Sequence, residues 1–131
     1  MKFDPDAAEA FFRTLSDYFG GDIVCEPQHA TWFTANVDAF LIERQVARAA
    51  ADPQPHPDAK QPGGWRGLAY YRLHGSPKMY YSSYSDEDIT QIAGDLRRRK
   101  AEGARTWCIF DNMAEFAATA NALAAAAIAQ R

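Results

Sequence analysis

Arg72 and His74 stand two residues apart in Tyr70-Tyr71-Arg72-Leu73-His74-Gly75, a run that otherwise reads as a buried strand. Alternate residues of a strand share a face, so Tyr70, Arg72 and His74 point one way and Tyr71 and Leu73 the other. An imidazole transfers protons near neutrality and a guanidinium grips carboxylate or phosphate groups. Past Gly75, the stretch Tyr80-Tyr81-Ser82-Ser83-Tyr84-Ser85-Asp86 is an aromatic, hydroxyl-rich loop that opens a helix. A buried Arg needs a carboxylate, because stripping a buried charge of its partner costs about 3–5 kcal/mol. Glu26, at the end of an apolar run, is the expected partner.

In an enzyme, Glu26 would be the general base or a metal ligand, Arg72 the clamp for an anionic group, and His74 the general acid. His29, Asp52, Tyr80, Tyr84, Asp111 and Asn112 would shape the pocket. The same residues also suit a structural role, with Glu26 and Arg72 as an ion pair and His74 bonded to a loop carbonyl. Glu26, His29 and His74 form a two-His, one-carboxylate set without a characteristic ligand spacing, so no metal site is assigned, and the sequence leaves any cofactor unknown.

The elements that must position these groups alternate along the chain. Asp4 as N-cap and Pro5 at the first helical position start a helix carrying Phe11, Phe12, Leu15, Tyr18 and Phe19, which Gly20-Gly21 ends. Residues 22–28 read as a short buried strand finishing at Pro27. Trp32 reads as core, and Thr34 caps a second helix with Val37, Phe40 and Leu41 inside. A weaker strand follows from Val46 to Ala51, ending at Asp52. Residues 53–66 hold four of the seven prolines and Gly63-Gly64, which reads as a long loop.

After the Tyr70 strand comes the best-signalled helix. Ser85 and Asp88 form a capping pair, Ile89, Ile92, Ala93 and Leu96 line one face, and Arg97 to Lys100 fill the last turn before Gly103. That basic run suits a helix C-terminus better than nucleic acid. Residues 105–110 are a final buried strand. Asn112 with Glu115 reads as the capping pair of an Ala-rich helix built on Phe116, Ala120, Leu123, Ala127 and Ile128.

At 131 residues, 47% hydrophobic and 24% charged, with a net charge of −3, the chain reads as one globular domain, residues 1–131, with no general pull toward nucleic acid or membrane. The acidic start lacks the apolar stretch of a signal peptide, so a cytoplasmic location is expected. Cys25 and Cys108 lie apart in apolar runs and read as buried free thiols.

Alternating helices and strands imply an α/β fold of parallel βαβ units with right-handed crossovers. Strands in chain order put every helix on one side of the sheet, which a (β/α) barrel resolves by closing on itself. Glu26, Asp52, His74 and Asp111-Asn112 all fall near the C-terminal ends of strands, where such barrels keep their sites. The expected architecture is half of a TIM-type (β/α) barrel, with about four parallel strands.

At these residues the chain resembles the C-terminal half of the YecE-like family, domain-of-unknown-function family seventy-two. The likeness lies in Tyr70-Tyr71-Arg72-Leu73-His74-Gly75, Tyr84-Ser85-Asp86-Glu87, Phe110-Asp111-Asn112 and Asn121-Ala122. Upstream, Glu26-x-x-His29-x-x-Trp32-Phe33 is similar to that family's Glu-x-Arg-His-Pro-Ser-Trp segment, with Gln28 in place of its Arg and Ala30 in place of its Pro. The resemblance runs from about Phe11 to Ile128. It implies a TIM-type barrel roughly twice this length, with no established activity and only loose sugar-isomerase-like labelling. Half a barrel needs its other half, so the expected partner is a second copy in an obligate homodimer or a separately encoded N-terminal half. The expected function is enzymatic work on a small sugar-like or phosphorylated ligand, or else a noncatalytic subunit that completes a partner's barrel.

Overall fold

Side-chain caps open the first three helices where the sequence places them. Asp4 Oδ1 accepts from the Ala7 N–H at 3.0 Å to start α1 (Pro5–Tyr18), and Thr34 Oγ1 accepts from the Val37 N–H at 3.3 Å to start α2 (Ala35–Glu43). Ser85 and Asp88 cap each other's backbone N–H at 3.1 Å to start α3 (Asp86–Ala101). Acidic residues fill the first turn of α3 and Arg98, Arg99 and Lys100 its last, as the helix dipole favours.

The computed structural model describes residues 1–130. Its strands are β1 (Ile23–Cys25), β2 (Val46–Arg48), β3 (Ala50–Asp52), β4 (Gly63–Gly64), β5 (Leu68–Leu73) and β6 (Arg105–Phe110). β1 pairs parallel with β2, β3 with β5, and β5 with β6. β2 and β3 are two halves of one extended run, since the Ala49 N–H between them still donates to Cys25 O at 2.9 Å. The result is a parallel sheet whose strands lie in chain order.

Loop 53–66 carries more structure than expected. A short 3-10 turn spans Pro57–Lys60, and Gly63–Gly64 pairs antiparallel with β2. Gly64 is needed there: its φ is +63°, and a Cβ would lie 2.5 Å from Val46 O. This segment stands where a crossover helix would otherwise join β3 to β5.

Alternation along the strands sorts the two faces. Ile23, Val46, Ala50, Tyr71, Leu73 and Phe110 pack under the helices, in one cluster with α1 and α2 and another with α3 and α4. Val24, Ala47, Ala49, Ala51, Tyr70, Arg72, Trp107 and Ile109 have the opposite parity and belong to the helix-free face. The sheet curls strongly around that face, because Asp22 beside β1 forms an ion pair with Arg105 at the start of β6.

The last helix, α4 (Ala117–Ala129), corrects two expectations. Asn112 and Glu115 do not cap it; it begins after Phe116, whose φ is +61°, with no side-chain cap. Its inner face is Ala118, Asn121 and Ala125, while Phe116 and Leu123 are exposed. Asn121 turns inward because the preceding loop needs its hydrogen bonds, and that rotation carries Leu123 outward. In α1, likewise, Ala8 and Phe12 are buried but Phe11 and Tyr18, and Phe19 just past its end, are exposed.

Candidate functional site

At the C-terminal ends of the strands, backbone pairing continues past the strands themselves. The His74 N–H donates to Asp52 O at 2.8 Å, and the Asp111 N–H to Leu73 O at 2.7 Å. His74 and Asp111 are therefore held in the sheet's register although both lie beyond strand ends. Glu26 follows β1 directly and has the parity of the helix-free face, as Arg72, His74 and Asp111 do.

Arg72 is the centre of the cluster. Its Nη1 donates to Glu26 Oε2 at 3.1 Å and its Nη2 to Asp111 Oδ2 at 3.0 Å, so one guanidinium bridges the two outer strands of the sheet. Ala51 is the residue paired with Arg72 in the neighbouring strand. The small side chains of Ala47, Ala49 and Ala51 leave a low floor over which Arg72 reaches Glu26. The hydrogen bonds it donates to Asp111 first, and to Glu26 second, raise the guanidinium above its already high ordinary pKa.

His74 completes the cluster. Its Nδ1 lies 3.2 Å from Asp111 Oδ2, without the alignment of a hydrogen bond, and its Nε2 lies 3.8 Å from Glu26 Oε1. Tyr80 stands edge-on to the imidazole with ring centroids 5.5 Å apart. Gln28 Nε2 donates to Glu26 Oε1 at 3.2 Å. Glu26, Arg72, His74, Asp111 and Tyr80 thus lie together.

Other expected pocket residues do different work. His29 turns to its own neighbours, its Nδ1 accepting from the Thr31 N–H at 3.2 Å to cap a 3-10 turn. The Tyr84 hydroxyl donates to Asp52 Oδ2 at 2.7 Å and accepts from the Gly75 N–H at 2.9 Å, which ties the loop after β5 to the end of β3. Burial, then the bond to Asp52, raises the phenol's pKa, so Tyr84 keeps its proton as a fixed donor.

Asn112 is fully buried and donates to Ser82 O at 3.0 Å and to Asn121 Oδ1 at 2.8 Å. Asn121 also accepts from the Tyr84 N–H at 3.2 Å. Asp52, Tyr84, Asn112 and Asn121 therefore brace the loop carrying Tyr80 from behind. Asn121 was readable in advance as an amide inside an otherwise apolar helix, where burial demands partners.

Tyr84→Phe should cost about 1–2 kcal/mol, because it leaves the Gly75 N–H and the Asp52 carboxylate short of a partner. Urea unfolding would measure the loss, and an unchanged midpoint would show that the hydroxyl does not hold this loop.

Burial raises both thiols, Cys25 and Cys108, to about 12, which makes them packing residues and not nucleophiles. Among the described residues, no three His, Cys, Asp or Glu side chains are grouped to hold a metal ion, and no helix is long and apolar enough to cross a membrane. A cavity of about 660 Å³ lies away from the cluster. It is lined by Phe33, Thr34, Arg48, Gly63, Trp65 and Arg99, where loop 53–66 replaces a helix.

Three comparisons bear on this arrangement. Two crystal structures, both of DUF72 family proteins, share the fold. One is from Enterococcus faecalis, with a TM-score of 0.80 at 15% identity over 99% of this chain and 55% of that one. The other is from Thermotoga maritima, with a TM-score of 0.75 at 21% identity over 99% of this chain and 54% of that one. The chain thus spans just over half the length of either. No functionally curated protein matches it. The family described as "Protein of unknown function DUF72" matches residues 1–131, and the chain belongs to that family.

Proposed function

We propose that Glu26, Arg72, His74 and Asp111 form the floor of a ligand site at the C-terminal mouth of a (β/α) barrel, of which this chain supplies half. The ligand is a small, uncharged, polyhydroxyl molecule of sugar type. Glu26 is the base, His74 the acid, and Asp111 the carboxylate that lies beside the imidazole.

The observation that carries this reading is the engagement of Arg72. Both its terminal nitrogens are held by carboxylates, at 3.0 and 3.1 Å, so its positive charge is already offset on two sides, with three of its five N–H donors left over. Two carboxylates flank one guanidinium, so the carboxylates outnumber the fixed cation on this floor. A phosphate brought within about 4 Å of either carboxylate meets a repulsion of roughly 1–4 kcal/mol. A sugar hydroxyl instead donates to the free carboxylate lone pairs.

A second reading rests on the same bridge. Arg72 joins the two outer strands, so the cluster also serves as a clasp that sets the curl of the sheet. A thermal-shift series separates the two. A neutral sugar at 100 times its dissociation constant should stabilise the chain by nearly 3 kcal/mol, its phosphate ester should do less, and Glu26→Gln should erase the shift while the unliganded chain stays folded. Stabilisation by the phosphate ester alone would reject the neutral ligand. A Glu26→Gln chain that loses its fold and never responds to a sugar would leave only the clasp.

A further inference from the structure

Loop 53–66 takes the place of a crossover helix without filling its volume, and the cavity of about 660 Å³ lies there, between the start of α2 and the end of α3. Ordinary small-molecule sites measure roughly 300–1,000 Å³. Phe33, Trp65, Leu68 and Ala69 give it apolar walls, and it shares no lining residue with the Glu26, Arg72, His74 and Asp111 cluster. The loop is tied to α3 beside it: Gln61 Oε1 accepts from Arg99 Nη2 at 3.2 Å, and Gln61 Nε2 donates to Asp95 Oδ2 at 3.2 Å. One buried charge stands in this cavity. Arg48 of β2 has a side chain only 8% exposed. Its Nη1 donates to Trp32 O at 3.3 Å and faces Asp38 Oδ1 at 3.4 Å, but that oxygen already accepts from the Gly64 N–H at 2.7 Å. Nε and Nη2, the other edge of the guanidinium, find no acceptor among the described residues. Nη2 lies against Gly63, where a Cβ would come within 2.2 Å of it, so glycine at this position makes room for the guanidinium. A buried guanidinium needs its charge and its donors matched, and Arg48 is matched at one nitrogen of three.

We infer that this cavity is a second ligand site, separate from the mouth, and that it takes a small aromatic monocarboxylate. The carboxylate accepts from Arg48 Nη2, which gives the buried charge the partner it lacks. The ring lies against Trp65 and Leu68, because Phe33 is already engaged: His56 stacks on it with centroids 4.8 Å apart, and the Arg48 guanidinium lies 4.8 Å from its centre. Charge limits the ligand to one negative group. Three arginines, Arg48, Arg66 and Arg99, and three acids, Asp38, Asp58 and Glu102, line the cavity, which leaves no surplus for a dianion such as a phosphate ester. A single carboxylate is still drawn inward, since Asp58 and Glu102 are 66% and 53% exposed and screened by water, whereas Arg48 is not. The inference concerns this cavity alone and stands whether or not the mouth binds a sugar.

Three probes test it by NMR on the 15N-labelled chain: indole-3-acetate, its neutral analogue indole-3-acetamide, and acetate. Indole-3-acetate should move the Gly63 and Gly64 amides and the Trp65 indole N–H to saturation while the Arg72 and Asp111 amides stay in place. It should bind at least about tenfold more tightly than the amide, which lacks the charge, and than acetate, which lacks the ring. Arg48→Gln should remove the preference for acid over amide. Should that variant fail to fold, the comparison of acid, amide and acetate on the parent chain decides alone. No response at Gly63, Gly64 and Trp65, an amide or acetate that binds as tightly as the acid, or a preference that survives in a folded Arg48→Gln chain would overturn the inference.

Discussion

Gly75→Ala is expected to destabilise the chain by about 2–5 kcal/mol, combining a left-handed backbone penalty of roughly 1–2 kcal/mol with overpacking of roughly 1–3 kcal/mol. Gly75 has φ +93°, and a Cβ there would lie 2.7 Å from Ser82 O and 3.1 Å from the Asn112 Cβ. Neither neighbour is free to retreat, because Ser82 O accepts from Asn112 and Asn112 is fully buried. Gly75 directly follows His74, so a shift of its backbone would move the imidazole away from Asp111. Urea unfolding followed by tryptophan fluorescence measures the loss; an unchanged midpoint would mean that the loop after β5 yields easily and does not fix His74.

Asn112→Asp is expected to cost about 3 kcal/mol at neutral pH. The amide that donates to Ser82 O and Asn121 Oδ1 becomes a carboxylate facing two acceptors in a site closed to water. Burial and those acceptors would raise the folded-state pKa of the new acid above its unfolded value near 4. The unfolded chain then loses its proton at lower pH than the folded one, so the penalty grows as pH rises through that window. The gap from the parent chain should narrow below about pH 4, where the protonated acid can donate one bond. Unfolding curves at several pH values give the test, and a gap that does not change with pH would show that Asn112 acts through its shape alone.

The contrast between α3 and α4 shows what the sequence can convey. In α3 the cap, the dipole charges and the apolar face all agree, and the helix forms where each places it. In α4 the Asn112 and Glu115 spacing imitates a cap, but the buried loop claims Asn112, and a local signal yields to a tertiary one. An alanine-rich helix also offers little contrast in side-chain size to fix its inward face, so Asn121 and the close packing of Ala118 and Ala125 decide it.

The cluster itself was partly legible for a similar reason. A charged Arg on a buried strand demands a carboxylate, and Glu26 supplies it. The second carboxylate, Asp111, reaches the same guanidinium because β6 pairs directly with β5 and places Asp111 two residues beyond Ile109, the partner of Arg72, and strand periodicity does not say which strands pair. Tyr84 and Asp52 look like pocket residues for their chemistry, but their hydrogen bond to each other spends them on the framework.

The most direct measurement is an NMR titration of the 15N-labelled chain with a neutral sugar and with its phosphate ester, followed at the amides of Arg72, Gly75 and Asp111 and at the His74 ring. Those signals should move with the neutral sugar at a lower concentration than with the ester. A tighter response to the ester, or no response to either, would contradict a sugar site at this mouth.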